Sequence, residues 1–234
     1  MHIPDLLFSR DRSAHLTNWR SSALLSLAFV CSIGFGLLAA CVLANHGPAG
    51  FDAETLRWMS THRQPDATLI LRCVSMLHNT AGVLLLTGLA GWLFWHRGER
   101  FWACLLFIAV PSGMLLNLLL KMLFGRPRPA GAVLDGLASG LSFPSGHTMA
   151  AALIYGATLM GAYSCIADRQ RRRAAVLLCV FAAFSVAFSR LYLGLHYLSD
   201  VVAAMLEAVA WLSLVFVMLR LVSQQGRKQQ RAMS

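Results

Sequence analysis

Six long apolar runs decide what this chain of 234 residues can become. They lie at about 22 to 44, 80 to 96, 101 to 124, 146 to 166, 174 to 193 and 200 to 222, close to the ~18 or more residues that a helix needs to cross ~30 Å of hydrocarbon. A span buried in lipid must satisfy its own backbone polar groups, and a helix does so within one segment. The chain is 57% hydrophobic and 13% charged, with a mean hydropathy of +0.61, which sets it apart from an average soluble domain. The expected fold is therefore all-α, a polytopic transmembrane bundle forming one domain over 1–234. The second run is the shortest, and its start can lie upstream, around Leu69 to Met76, so the count is six or five.

The first run is too long for a cleavable signal peptide and follows about twenty mixed residues, so it is expected to remain in the mature chain. The six cysteines have no C-x-x-C spacing, and all but Cys73 fall in or beside apolar runs. They read as small core residues and not as a disulfide framework or a zinc site.

With six spans, both termini share one side of the membrane. Of the twenty Lys and Arg, thirteen fall on that side; seven, namely Arg57, Arg63, Arg72, Lys121, Arg126, Arg128 and Arg190, fall on the other. The positive-inside rule then places both termini in the cytoplasm. The net charge of +10 needs no nucleic-acid partner, because anionic lipid head groups beside the loops suffice.

Three polar clusters interrupt the apolar pattern. "KMLFGRPRP" carries Lys121 and Arg128 out of the third run, "PSGH" carries Ser145, Gly146 and His147 into the fourth, and "SRLYLGLHYLSD" carries Arg190, His196 and Asp200 between the fifth and sixth. Parity of the spans brings all three to one membrane face, the non-cytoplasmic one. Their residue types are those of an anion site: three cations, two histidines and one carboxylate, with Asp135 the other acid nearby. Hard metal ions want several carboxylates, so no metal or other cofactor is expected.

Each cluster taken alone also has a simpler reading. Lys121 near a helix end can merely snorkel to the interface, and Arg128 can belong to an ordinary basic loop, although Pro127 and Pro129 stiffen the backbone around a guanidinium suited to an oxyanion. Ser145 is placed to cap a helix whose first amides lack partners, and Gly146 lets an anion approach those amides. His147 then lies in the first turn, where it can donate a proton to a departing group or simply hydrogen-bond at the interface. His196 and Asp200, four apart, share a helix face, so the carboxylate can fix the imidazole tautomer and free the other nitrogen as a nucleophile; Asp200 can equally be a helix cap.

Taken together, "K-x6-RP" (Lys121 to Pro129), "PSGH" (Pro144 to His147) and "SR-x5-H-x3-D" (Ser189 to Asp200) resemble the three-part signature of the type 2 phosphatidic acid phosphatase (PAP2) superfamily. The block covers about a third of the chain, and the six-span layout resembles the bacterial inner-membrane members. That resemblance implies a metal-independent phosphatase in which His196, oriented by Asp200, forms a phosphohistidine and His147 acts as acid and then base. It implies phosphoryl binding by Lys121, Arg128, Ser145, Gly146 and Arg190. Phosphatidate, phosphatidylglycerol phosphate and undecaprenyl diphosphate are the substrates it suggests, with lipid A phosphatases and phosphotransferases as relatives of the same kind.

Residues 45 to 79 are expected to form a partly amphipathic cover over this face, with Arg57, Arg63 and Arg72 either on a solvated helix face or on a head group. Glu207 stands apart, inside the sixth run. An intramembrane acid is a functional candidate by default, and an anion transporter is the reading in which it would serve a midplane site.

Overall fold

The computed structural model describes residues 20–44, 49–129 and 140–233. Asp135 lies outside the described residues. Eight helices are formed among them: α1 (Ser21–Leu43), α2 (Ala49–Thr61), α3 (Pro65–Leu77), α4 (Thr80–His96), α5 (Arg100–Phe124), α6 (Gly146–Cys165), α7 (Arg169–Tyr192) and α8 (Leu198–Met233). Five of them, α1, α5, α6, α7 and α8, are each long and apolar enough to cross a bilayer. A further candidate crossing is a bent pair, α3 with α4, which meet at 66° and together are long and apolar enough to make a sixth span. This break accounts for the uncertain start of the second run: Asn79 accepts from the Gly82 amide at 2.8 Å and begins a new helix there, while Pro65 begins α3.

Burial sorts the spans. In α6 and α8, 61% of the apolar window is buried, against 17% in α1, so α6 and α8 form the centre and α1 packs on the outside of α8. Small residues allow this close packing, which in lipid relies on van der Waals fit and not on exclusion of water. A Cβ placed on Gly161 of α6, for example, would lie 2.5 Å from the Phe94 ring of α4. Toward the start of α5, Phe101, Trp102 and Phe216 interlock, with the Phe101 and Phe216 ring centroids 5.3 Å apart at 81°.

None of the six cysteines is in a disulfide. Cys31 and Cys179 are buried as expected of core residues, whereas Cys41 and Cys73 are exposed on the outer faces of α1 and α3. Those two are apolar-surface residues and not core.

The chain returns three times to one end of the bundle: through the last turn of α5, the first turn of α6, and the turn joining α7 to α8. The short helices α2 and α3 cover that end, packing chiefly against α7 and, for α2, also α8.

Candidate active site at one end of the bundle

Helix α5 stops at Gly125, which adopts φ +60 and donates its amide to the Lys121 carbonyl at 3.0 Å. The left-handed conformation that ends the helix is the one glycine tolerates best. Beyond it, the loop is held shut at its base. The Ser142 amide donates to the Arg126 carbonyl at 2.8 Å, the Ser142 hydroxyl donates to the Pro127 carbonyl at 2.9 Å, and Pro127 pairs with Leu141 in an antiparallel bridge. Lys121 Nζ adds a bond to the Leu141 carbonyl at 3.0 Å. Arg128 is thereby fixed beside α6, and its buried Nε has no hydrogen-bond partner among the described residues.

At the start of α6, Ser145 occupies the N-cap position, but its side chain does not cap the helix. Its hydroxyl pairs with that of Thr148 at 3.0 Å, and its amide donates to the Asp200 carbonyl at 3.1 Å. The expected cap is thus replaced by a tie between α6 and α8. The Gly146 and His147 amides are among the first-turn donors that no helical carbonyl can reach.

The turn before α8 positions His196. Gly194 (φ +68) lets the chain reverse, and the Leu195 and His196 amides both donate to the Arg190 carbonyl, at 3.0 and 3.3 Å. A Cβ on Gly194 would lie 2.5 Å from Arg63 Nη2, so a side chain there would have to displace the Arg63 guanidinium. His196 Nδ1 donates to Asp200 Oδ2 at 3.3 Å, which leaves Nε2 unprotonated. Asp200 Oδ2 also accepts the Tyr197 amide at 3.0 Å, so Asp200 is both a helix cap and the orienting group. Burial holds the His196 imidazole down at about 4, outweighing the hydrogen bond to Asp200, which acts in the opposite direction. Desolvation likewise lowers Arg128 from its usual value, and a guanidinium remains a cation even so.

Several residues that sequence reasoning missed hold this arrangement. Arg126 Nη1 donates to Asp200 Oδ1 and Ser199 Oγ, each at 2.7 Å, while Nη2 donates to Asp52 Oδ2 at 2.8 Å. Its guanidinium also stacks on the Tyr197 ring, 4.0 Å from the centroid. Asp52, from α2, accepts the Ser199 amide at 2.9 Å and the Ser199 hydroxyl at 2.6 Å. Ser75, from α3, accepts from Arg190 Nη1. Nothing along the sequence links Asp52 or Ser75 to the three clusters; only folding brings them there.

Of the predicted site residues, Lys121, Arg128, Gly146, His147 and His196 line one cleft of about 400 Å³. Asp200 sits behind His196. Arg190 and Ser145 do not line the cleft: Arg190 is 4% exposed and is held by Ser75, while Ser145 is fully buried. The arginines of α2, α3 and the turn between them divide. Arg63 donates from Nε to the Tyr192 carbonyl at 3.0 Å and ties the α2–α3 turn to α7; Arg57 is exposed and Arg72 half-buried. Glu207 is buried against Asn117, whose Nδ2 donates to Glu207 Oε2 at 2.9 Å. Among the described residues, no group of three or more His, Cys, Asp or Glu is placed to hold a metal ion.

Beyond its cationic end the cleft turns apolar, along Val83 of α4, Met114, Leu115 and Leu118 of α5, and Ala150 of α6. Leu115 and Leu118 are more than half exposed on the outside of the bundle, so the cleft opens sideways. A site of this form can hold an anionic head in a polar pocket while an apolar tail leaves between helices.

Known proteins show the same architecture. Residues 101–223, more than half of the chain, match the PAP2 superfamily. The chain is 29% identical over 171 residues to phosphatidylglycerophosphatase B of Bacillus subtilis (strain 168), covering 71% of this chain and 82% of that one. A crystal structure of a transmembrane PAP2-type phosphatidylglycerolphosphate phosphatase from Bacillus subtilis superposes with a TM-score of 0.71 at 25% identity, covering 85% of this chain and 96% of that one.

Proposed function

Because this chain belongs to the PAP2 superfamily and is a multi-pass membrane phosphatase, we propose that it hydrolyses a lipid phosphate at the non-cytoplasmic face through a phosphohistidine. The observation that carries this reading is the junction, within one cleft, of the Lys121, Arg128 and His196 pocket with a laterally open apolar groove.

In this mechanism Lys121, Arg128 and the Gly146 amide hold the phosphoryl oxygens, a charge-stabilising role that is often the largest contribution in such reactions. Arg190 and Ser145 support that pocket from behind. The Nε2 lone pair of His196 attacks phosphorus, the P–O bond to the alcohol breaks, and the electron pair leaves with that oxygen. A bound phosphate dianion favours the protonated form of His147 beside it, and His147 gives its proton to the leaving oxygen. Neutral His147 then takes a proton from water, and the resulting hydroxide attacks phosphorus and breaks the P–N bond. Asp200 holds the tautomer and offsets the positive charge that His196 develops.

The lipid names borne by the relatives support phosphatidylglycerol phosphate as a substrate, with phosphatidate and undecaprenyl diphosphate as the other candidates. The excess of Lys and Arg on the terminus side supports termini in the cytoplasm and a site facing outward. The test is a panel of these purified lipids compared by kcat/KM in one detergent. Release of phosphate from at least one of them is expected. In proteoliposomes, phosphate uptake without hydrolysis would instead identify a carrier.

A further inference from the structure

Asn117 and Glu207 take no part in the mechanism above, yet both are buried within membrane-spanning helices, at 3% and 5% exposed. An acid in such a place is costly and calls for a function. Asn117 lies one helical turn from Lys121 on the same face of α5 and lines the same cleft. Glu207 lies seven residues beyond Asp200 on α8, and its Oε1 has no hydrogen-bond partner among the described residues.

The pair fixes the direction of an amide. Asn117 Nδ2 donates to Glu207 Oε2 at 2.9 Å, so the amide nitrogen faces Glu207 and the oxygen faces away. That oxygen lies on the Gly146 side. A Cβ built on Gly146 would be 3.1 Å from Asn117 Oδ1 and 3.6 Å from Lys121 Cε. The cleft therefore presents, next to its phosphoryl pocket, an acceptor held in one orientation. One turn of helix is ~5.4 Å, comparable with the reach from phosphorus to a substituent on the second carbon of the leaving alcohol.

We propose that Asn117, oriented by Glu207, selects lipid phosphomonoesters whose leaving alcohol carries a free hydroxyl on the carbon next to the ester carbon. Such a hydroxyl can donate to Asn117 Oδ1. A phosphatidate-type lipid offers an acylated oxygen at that position and a diphosphate lipid offers phosphate oxygens; neither has a proton to donate. The selectivity rests on the lipid phosphatase reading and deepens it to a class of head group. Phosphatidylglycerol phosphate has the required hydroxyl.

The experiment compares, for the full chain in detergent, phosphatidylglycerol phosphate with its deoxy counterpart, phosphatidylpropanediol phosphate, using matched acyl chains, and with phosphatidate. The wild type should favour the hydroxylated lipid over the deoxy lipid by about tenfold in kcat/KM, the scale of one hydrogen bond. Asn117→Leu should bring that ratio close to one. Glu207→Gln, which lets the amide turn, should lower it severalfold. Equal kcat/KM for the two lipids in the wild type would overturn the proposal whatever the variants do, and an unchanged ratio in Asn117→Leu would do the same. An unchanged ratio in Glu207→Gln would overturn the orienting role of Glu207. If the wild type released phosphate from none of these lipids or from undecaprenyl diphosphate, the phosphatase reading itself would fall, a result distinct from hydrolysing them all alike.

Discussion

Arg126 and Asp200 form a salt bridge of 2.7 Å in which the carboxylate is fully buried and the guanidinium 17% exposed. The same guanidinium pairs with Asp52 at 2.8 Å, so a single cation compensates two buried acids, one beneath the proposed nucleophile and one on the cover helix α2. Asp200 can therefore hold His196 by its other oxygen without an unpaired charge below the site.

Removing that cation should be destabilising beyond its effect on activity. Breaking a buried pair from one side leaves uncompensated charge and costs on the order of 3–5 kcal/mol. Arg126→Gln is expected to lower the thermal midpoint in detergent, and Asp52→Asn in the same background to restore part of the loss. A double-mutant cycle on the midpoint checks this, with simple additivity of the two substitutions as the result that contradicts it.

His196→Ala should leave the protein folded and inserted, since the residue sits in a turn facing the cleft, yet abolish turnover. Loss of a covalent nucleophile is expected to lower kcat by orders of magnitude. Rapid quenching with a radiolabelled lipid phosphate should trap an acid-labile phosphoenzyme in the wild type and none in the variant.

The pH profile should report the buried imidazole. In the free enzyme His196 titrates at about 4, and only its neutral form has a lone pair on Nε2. Protonation therefore removes activity as pH falls. The acid limb of kcat/KM attributable to His196 should lie near pH 4, well below the ordinary histidine value of ~6.5, and decline about tenfold per pH unit beneath it. An acid limb near pH 6.5 in place of one near pH 4 would contradict this assignment.

Positive charge at the pocket comes from side chains, with Lys121 and Arg128 lining it and Arg190 behind. Such groups can take the place of the metal ions that clamp phosphoryl oxygens in other enzymes. Activity should persist in EDTA without added Mg²⁺. Vanadate, which adopts five-coordinate geometry, should inhibit competitively. Recovery of an EDTA-inactivated enzyme by Mg²⁺ alone would count against these assignments.

How much of this was legible beforehand follows from which interactions are local. The spans were readable because bilayer thickness fixes helix length, and the order of polar clusters put Lys121, Arg128, His147 and His196 at one end by parity alone. The link from His196 to Asp200 was readable because four residues make one turn. Asp52 and Ser199, 147 positions apart, were not, nor were Ser75 and Arg190, 115 apart. Asp52 lies on α2, whose polar composition offers no sign of burial. Arg126 was hidden differently: it stands two residues from Arg128 in the same basic stretch, and only the loop closure shows that one guanidinium turns to the carboxylates and the other to the cleft. The cap expected of Ser145 is absent: its hydroxyl pairs with that of Thr148 instead.

The closure between Arg126 and Ser142 has one more consequence. The bonds of Ser142 to Arg126 and Pro127, and the bridge of Pro127 with Leu141, form a base that sets where Arg128 stands relative to Gly146. Loop entropy rises only slowly with length, by ~0.6 kcal/mol per doubling. A change in chain length beyond that base should therefore leave Arg128 and Gly146 in register with each other.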